Sequence, residues 1–237
     1  MGCRQTPREA VRTTFQSIVI DSAHAASLEV ETFVEPYRER IDAVLDSTLA
    51  YAPYDITKTD GPYNTTAGNL MADAMYEMAT PIFEKRTGKA LDAVLMNHGG
   101  IRAVISKGNV SARTAYEVMP FENSISVVAL SGSALDKMVK HIVTSRRAHP
   151  ISGLQIELKP NGSLKSYTIN HQPVDPEGLY HVATSDYLVA GGDNMVFFRE
   201  GSAFYDLNYS IRNALIDYFG KKDTLRPQID QRYHKPK

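Results

Sequence analysis

Three short segments of the sequence combine glycine, aromatic and polar residues in patterns that suit ligand binding. The first, Asn97-His98-Gly99-Gly100-Ile101-Arg102, places two glycines after a short apolar run and an arginine two residues later. Paired glycines let a backbone or a ligand approach closely, and a guanidinium group directs paired donors at a phosphate or a carboxylate. Taken alone, a Gly-Gly turn with a surface arginine is more often structural than functional.

The second segment, Met119-Pro120-Phe121-Glu122-Asn123, joins an aromatic ring to a hydrogen-bonding side chain. The proline fixes the backbone before the ring, and Asn123 offers both a donor and an acceptor. The same residues also fit a turn in which Phe121 is buried, so this segment by itself does not identify a site.

The third segment, residues 185–194, contains Tyr187 six positions before Asp193, which follows a Gly191-Gly192 pair. A carboxylate accepts both hydroxyls of a ribose, and a tyrosine ring stacks on a base. The structural alternative is a glycine-rich turn in which Asp193 caps the element that follows.

Mixed helices and strands must position these segments. The apolar pattern predicts a strand at 11–20, a helix from Pro36 to Leu49, a loop at 51–64, helices at 66–79 and 112–118, a helix capped by Ser131 and a last helix at 208–219. Further strands are predicted at 91–96, 125–130, 152–158, 164–170 and 179–184. This order, with hairpins near the end, favours an α+β fold. We expect residues 1–10 to be a polar tether and 11–237 to form one domain.

Together the segments resemble the C-terminal domain of bacterial and animal 5′-nucleotidases, a family that includes UDP-sugar hydrolases. The resemblance runs from about Pro36 to Phe219 and implies a layered mixed-sheet domain with helices packed on the sheets. Five motifs in the family's order carry it: Gly68-Asn69-Leu70-Met71-Ala72-Asp73-Ala74, Asn-x-Gly-Gly-Ile-Arg at 97–102, Pro120-Phe121-x-Asn123, Ser152-Gly153-Leu154 and Gly191-Gly192-Asp193.

The resemblance also implies substrate-binding roles. In that family two aromatic rings sandwich the base, a carboxylate grips the ribose, amides hydrogen-bond around the nucleoside, an arginine holds the phosphate and glycines bring the backbone close. Phe121 and Tyr187 match the two rings, Asp193 matches the carboxylate, and Asn97 and Asn123 match the amides. Arg102 matches the arginine, and Gly99, Gly100 and Gly153 match the glycines.

One departure from the family concerns the phosphate. Members that hydrolyse nucleotides usually carry another arginine shortly before the Gly-Asn-Leu helix, whereas residues 60–64 read Asp-Gly-Pro-Tyr-Asn here. Lys58 could replace that arginine only if its loop folds towards the site. The base and ribose contacts are therefore expected to be complete, and the phosphate contact is not.

The family's hydrolytic chemistry resides in an N-terminal metallophosphatase domain, where two metal ions activate water. None of that domain's motifs is complete in this sequence, and the seven histidines lack ligand spacing. We therefore assign no catalytic residue, metal ligand or cofactor to this chain, and expect divalent metals only in a partner.

Three functions remain open at this stage. The chain could supply the nucleoside clamp of a split 5′-nucleotidase whose metallophosphatase is separately encoded. It could instead be a nucleoside-binding lipoprotein that delivers its ligand to a transporter, or a scaffold that binds no ligand. Independent hydrolysis is the least favoured reading.

Composition and the N-terminus bear on location and partners. A net charge of −1 provides no basic field for nucleic acid, and no stretch approaches the roughly 20 apolar residues of a membrane-spanning helix. The only cysteine, Cys3, allows three readings: an inert terminus, a lipidated bacterial lipoprotein, or N-myristoylation at Gly2. The lipoprotein reading predicts a periplasmic or cell-envelope protein held to the membrane only through Cys3.

Overall fold

The computed structural model describes residues 14–19, 21 and 25–236, and its contacts divide the chain into two units, Met1–Asp42 and Ala43–Lys237. Residues 14–19 are exposed and form no regular element, so the strand predicted across 11–20 is wrong over these six positions. The rest of that strand, the tether and Cys3 lie outside the described residues. The predicted division into a tether at 1–10 and one domain at 11–237 stays a prediction.

Helix α1, Leu28–Leu45, begins well before the predicted start at Pro36, which lies inside the helix. Glu29 and Glu31 stand in its first turn, where carboxylates interact favourably with the helix dipole. Leu49, assigned to this helix from its spacing, belongs instead to the first strand. None of the residues of α1 is buried.

The second unit contains the remaining helices and all the strands that the structure describes. The strands are β1 Thr48–Ala52, β2 Ala93–Leu95, β3 Gly108–Ser111, β4 Ser124–Ser131, β5 Ile151–Ser152, β6 Leu154–Leu158, β7 Leu164–Ile169, β8 Gln172–Pro173, β9 Leu179–Ser185, β10 Ala203–Ser210 and β11 Tyr233–His234. The helices are α2 Thr66–Thr87, α3 Ala112–Val118, α4 Gly132–Ser145, α5 Asp186–Val189 and α6 Ile211–Gly220. Short 3-10 turns occur at His98–Gly100, Gly192–Asn194 and Val196–Glu200.

The strands form three sheets. A five-stranded sheet has the order β10-β4-β9-β2-β5, in which only β2 and β9 pair in parallel. A four-stranded sheet has the order β11-β6-β7-β8, and β1 pairs with β3. This mixed, layered α+β arrangement confirms the predicted fold class.

The central strands of the five-stranded sheet are buried on both faces. Val127 packs into a core that contains residues of α2 and α6, whereas its neighbour Val128 packs into a second core with α4 and the four-stranded sheet. Val94 and Leu95 of β2 divide between the two cores in the same way. A strand covered on both faces reads as a continuous apolar run, which explains why the runs at 91–96 and 125–130 predicted these strands.

Most predicted elements of this unit are confirmed, with shifted ends. Helix α3 has the predicted bounds, Ser131 caps α4 by accepting the Ala134 amide, and α2 continues through Pro81 to Thr87. Strands β1, β3, β8, β10 and β11 were not predicted. Residues 51–52 of β1 lie in the predicted loop, and residues 208–210 of β10 in the predicted last helix. Along β10, exposed Phe204 and Asp206 alternate with partly buried side chains, so this edge strand lacks the apolar run of the central strands.

The Gly-Asn-Leu-Met-Ala-Asp motif of α2 holds the C-terminal segment of the chain in place. The Asn69 side chain donates to the Gln228 carbonyl at 2.8 Å. Asp73 receives two parallel hydrogen bonds from Arg232, at 2.8 and 2.9 Å, and the Arg232 side chain is only 16% exposed. A bidentate pair of this kind fixes orientation as well as distance. The motif therefore has a structural role in this chain.

Replacing Arg232 with alanine should lower the free energy of unfolding by about 1–3 kcal/mol, because its charge-assisted hydrogen bonds to Asp73 and Asp230 and its bond to the Ile151 carbonyl are lost. Urea unfolding of the variant measures this change. Arg226→Ala removes an exposed arginine of the same segment and is the matched control. Equal losses in the two variants would contradict the structural role of Arg232.

A buried histidine supports the loop at 97–102 from behind. His149 is 4% exposed, and its Nδ1 accepts the backbone N–H of His98 at 3.3 Å. Burial lowers its pKa to about 4, with smaller contributions from the His141 and His98 rings, while the Asp193 carboxylate acts in the opposite direction. The ring is therefore neutral at physiological pH, which its acceptor role towards His98 requires.

The free energy of unfolding should fall as the pH is lowered from about 6.5, the ordinary histidine pKa, towards 4. In this window the unfolded chain binds a proton at His149 that the folded chain excludes, because the folded-state pKa is about 4. The contribution of this residue amounts to about 3 kcal/mol over the window. Chemical unfolding at a series of pH values should show a shallower dependence in His149→Gln. His171→Asn changes an exposed histidine and should retain the pH dependence of the parent protein. If His149→Gln also retained it, the low pKa of His149 would be contradicted.

Candidate functional site

The topology of the five-stranded sheet brings the three candidate segments to one edge. Because β2 and β9 run in parallel, the loops that follow them, at 97–102 and 186–194, leave the sheet on the same side. Strand β4 is antiparallel to β9, with Ile125 opposite Ser185, so the loop preceding β4 lies at this edge as well. The start of α6 joins them, because Ser210 at the end of β10 pairs with Ser124.

These loops enclose a cleft of about 300 Å³. Eight of the nine residues predicted to bind substrate line it, together with four further residues. The predicted residues are Asn97, Gly99, Gly100, Arg102, Phe121, Asn123, Tyr187 and Asp193, and the others are Met96, Met119, Ser185 and Ile211.

Asp193 connects two of the three loops. Its Oδ2 accepts a hydrogen bond from Asn97 Nδ2 at 2.7 Å, and its Oδ1 accepts one from the Tyr187 hydroxyl at 3.1 Å. The Asp193 backbone is left-handed, with φ 50° and ψ 28°, a conformation that aspartate tolerates better than most residues. The carboxylate is exposed to the cleft and is held at a fixed place by both partners.

Gly192 allows the Tyr187 ring to lie directly on the loop backbone. A Cβ atom at position 192 would stand 2.4 Å from two ring atoms of Tyr187, so any other residue would displace the ring. Gly191 has φ 93°, and a Cβ there would approach the Arg199 guanidinium to 2.6 Å. The Gly-Gly pair is thus required by close packing against a ring and by a left-handed turn.

The two aromatic rings of the site are accessible from solvent. Phe121 is 40% exposed and Tyr187 is 45% exposed, so the turn reading that buries Phe121 is wrong. The Arg102 guanidinium carbon lies 5.7 Å from the centre of the Phe121 ring, within the range of a cation–π contact. Aromatic rings with accessible faces beside a carboxylate and a guanidinium form a surface suited to a flat, polar ligand.

Gly153 is the predicted site residue that does not line this cleft. It has φ 71° and lines a separate cavity that includes Asn170 and Arg232. A Cβ at this position would lie 2.3 Å from the Asp92 carbonyl oxygen, so the glycine permits two segments of backbone to pack closely. Close backbone packing therefore accounts for a glycine at this position.

The loop that carries Lys58 folds towards the 97–102 segment. The Lys58 ammonium group donates a hydrogen bond to the Ile101 carbonyl, next to Arg102 in the chain. Lys58 is not among the residues that line the cleft, and Arg102 is the cation that does.

The four lining residues that sequence reasoning did not assign are mostly apolar. Met96 and Met119 are buried beneath the loops, and Ser185 accepts the Leu188 amide at 3.2 Å as the cap of α5. Ile211, the first residue of α6, lines the cleft because it directly follows β10. Since β10 was not predicted, this position of Ile211 was not predicted either. Met96 stands directly before the first candidate segment, and Met119 is the first residue of the second; these positions were the signal that could have identified them.

Within the described residues, no group of three or more His, Cys, Asp or Glu side chains could hold a metal ion. The described helices include none that is long and apolar enough to cross a membrane.

The sequence is similar to several proteins of much greater length. It is 28% identical to an apyrase of Tabanus yao over 176 residues, covering 64% of this chain and 31% of the apyrase. It is 30% identical over 218 residues to the trifunctional nucleotide phosphoesterase protein YfkN of Bacillus subtilis, covering 84% of this chain and 14% of that protein. The chain thus spans less than a third of either relative.

The fold is similar to that of solved structures. A 5′-nucleotidase precursor of Thermus thermophilus superposes with a TM-score of 0.72 at 23% identity, covering 87% of this chain and 43% of that one. The family model described as 5′-nucleotidase, C-terminal domain, matches residues 52–200, which include all three loops of the cleft. The chain therefore belongs to the 5′-nucleotidase C-terminal domain family.

Proposed function

We propose that this chain is the nucleoside-recognition domain of a 5′-nucleotidase and that its cleft binds the base and ribose of a nucleoside or nucleotide. The observation that carries the proposal is the convergence of Asn97, Phe121, Tyr187 and Asp193 on one cleft from three separate segments. Each of these residue types suits one part of a nucleoside.

The proposed mode of binding follows from the chemistry of the lining. A base would stack on the Phe121 and Tyr187 rings, whose exposure leaves surface for it. The ribose hydroxyls would donate to Asp193, since each oxygen of a carboxylate accepts more than one hydrogen bond. The amides of Asn97 and Asn123 would contact the base edge or the sugar, and Arg102 would face a phosphate.

A metallophosphatase domain on another chain would perform the hydrolysis in this proposal. Clamping the nucleoside here would hold its 5′-phosphate at a defined place between the metal ions of that partner. The chain would thus contribute orientation, which reduces the entropic part of the barrier, and not bond breaking.

The second candidate is a nucleoside-binding lipoprotein of the periplasm or cell envelope, anchored through Cys3, with no catalytic partner. Two observations favour it: residues 60–64 contain no arginine, and Lys58 is hydrogen-bonded to the Ile101 carbonyl. A nucleoside has no phosphate and therefore needs no cation to bind one. Mixing the chain with a metallophosphatase that lacks its own C-terminal domain separates the two functions. Increased AMP hydrolysis supports the split enzyme, and tight nucleoside binding without increased hydrolysis supports the lipoprotein.

Phe121→Ala should weaken adenosine binding by about 5- to 150-fold, which corresponds to the 1–3 kcal/mol of one stacked base. Isothermal titration calorimetry measures the affinity. Tyr187→Ala should have a similar effect. Tyr187→Phe keeps the ring and removes only the hydroxyl, which donates to Asp193 Oδ1 and accepts the Asp193 backbone N–H. Phe204→Ala removes an exposed phenylalanine outside the cleft and serves as the control. Unchanged adenosine affinity in both Phe121→Ala and Tyr187→Ala would end the proposal.

Arg102→Ala should reduce the affinity for AMP about tenfold more than the affinity for adenosine, because a charge-assisted hydrogen bond to the phosphate is lost. The same titrations with Lys58→Ala show whether Lys58 also contributes to phosphate binding. Arg226→Ala controls for the change in net charge. If Arg102→Ala lowers both affinities equally, Arg102 supports the Phe121 ring and does not contact phosphate.

A further inference from the structure

A buried arginine at the start of α6 connects this helix to the loop that carries Phe121. The Arg212 side chain is 8% exposed, and its guanidinium carbon lies 4.1 Å above the centre of the Tyr116 ring of α3. Its Nη2 donates a hydrogen bond to Glu122, the residue after Phe121. One guanidinium group therefore links α6, α3 and the loop at the edge of the cleft.

The pairing of Arg212 with Glu122 is unusual for its asymmetry. The arginine is buried, yet its partner Glu122 has a side chain that is 81% exposed. Burying a guanidinium group is costly unless a counter-charge compensates it, and the Arg212 Nε has no hydrogen-bond partner among the described residues. Glu122 is thus the counter-charge that compensates the buried Arg212 guanidinium group.

The loop between α3 and β4 has few other restraints near Phe121. At one end the Met119 amide donates to the Ala115 carbonyl, and at the other the Ile211 amide donates to the Asn123 carbonyl, both at 2.9 Å. Between these ends, the Phe121 ring contacts Arg102, which is itself exposed. The Glu122 ion pair is the additional restraint inside the span.

We propose that Arg212 is a positioning residue that acts through Glu122 to hold the Phe121 ring at the wall of the cleft. It contacts no part of the ligand and affects affinity by limiting the conformations of the loop before binding. The inference rests on the proposed nucleoside function for its effect on affinity, while its effect on the loop exists without ligand. An ordered ring binds more tightly because less conformational entropy is lost on association.

Glu122→Gln is the primary test, because an exposed side chain can be changed without disturbing the core. In the ligand-free protein, NMR order parameters of the backbone amides at positions 121 and 122 should fall, while those of the same positions in Glu117→Gln should match the parent. Glu117 is an exposed acid of α3 close to the same loop. Unchanged order parameters in Glu122→Gln would overturn the proposal whether or not the protein binds a nucleoside.

Adenosine titrations of a double-mutant cycle then test whether the effect passes through the ring. Glu122→Gln should weaken adenosine binding by about three- to tenfold in the parent protein and by less than about twofold in the Phe121→Ala variant. Arg212→Met should reproduce this pattern if its melting temperature shows it to be folded. An equal loss in both backgrounds would overturn the positioning role. Absence of adenosine binding by the parent would reject the proposed function, and the order parameters would still decide the role of Arg212.

Discussion

The parallel pairing of β2 with β9 is the constraint on which the site depends. Ala93 lies opposite Val182 and Val94 opposite Ala183, in the central part of the sheet, which is buried on both faces. A shift of one residue in this register would exchange the two faces and move apolar side chains between cores, so the register is strongly specified. The loops that follow the two strands are consequently fixed relative to each other, and the hydrogen bond between Asn97 and Asp193 joins them.

The same constraint explains how the carboxylate of the site acquires a fixed place. Asp193 sits in a left-handed turn, held from one side by Asn97 and from the other by Tyr187. Backbone conformations of this kind cost free energy and persist where surrounding contacts impose them, often at functional sites. The glycine pair before Asp193 allows the Tyr187 ring to contact the backbone, so the ring and the carboxylate are placed by one compact unit.

The central fold was predictable because burial on both faces leaves a strong sequence signal, as in the apolar run of β4. Edge strand β10 has exposed Phe204 and lacks that signal, so Ile211 could not be placed at the cleft, nor Arg212 beside the loop between α3 and β4. The place of Gly153 outside the cleft was not predictable either, because a glycine required by backbone packing and one that faces a ligand look the same in sequence. Distances such as those around Asp193 depend on strand register and turn geometry, which residue types alone do not specify.

The two hydrogen bonds of Asp193 bear on how the cleft could receive a ribose. Both carboxylate oxygens already accept one bond each, from Asn97 and from Tyr187. An ionised carboxylate has about four acceptor sites, so two hydroxyl groups can be added without displacing either partner. The existing bonds hold the carboxylate in one orientation and reduce the entropy lost when a ligand binds. In the proposed function, these contacts would thus prepare Asp193 as an acceptor without competing with the ligand for it.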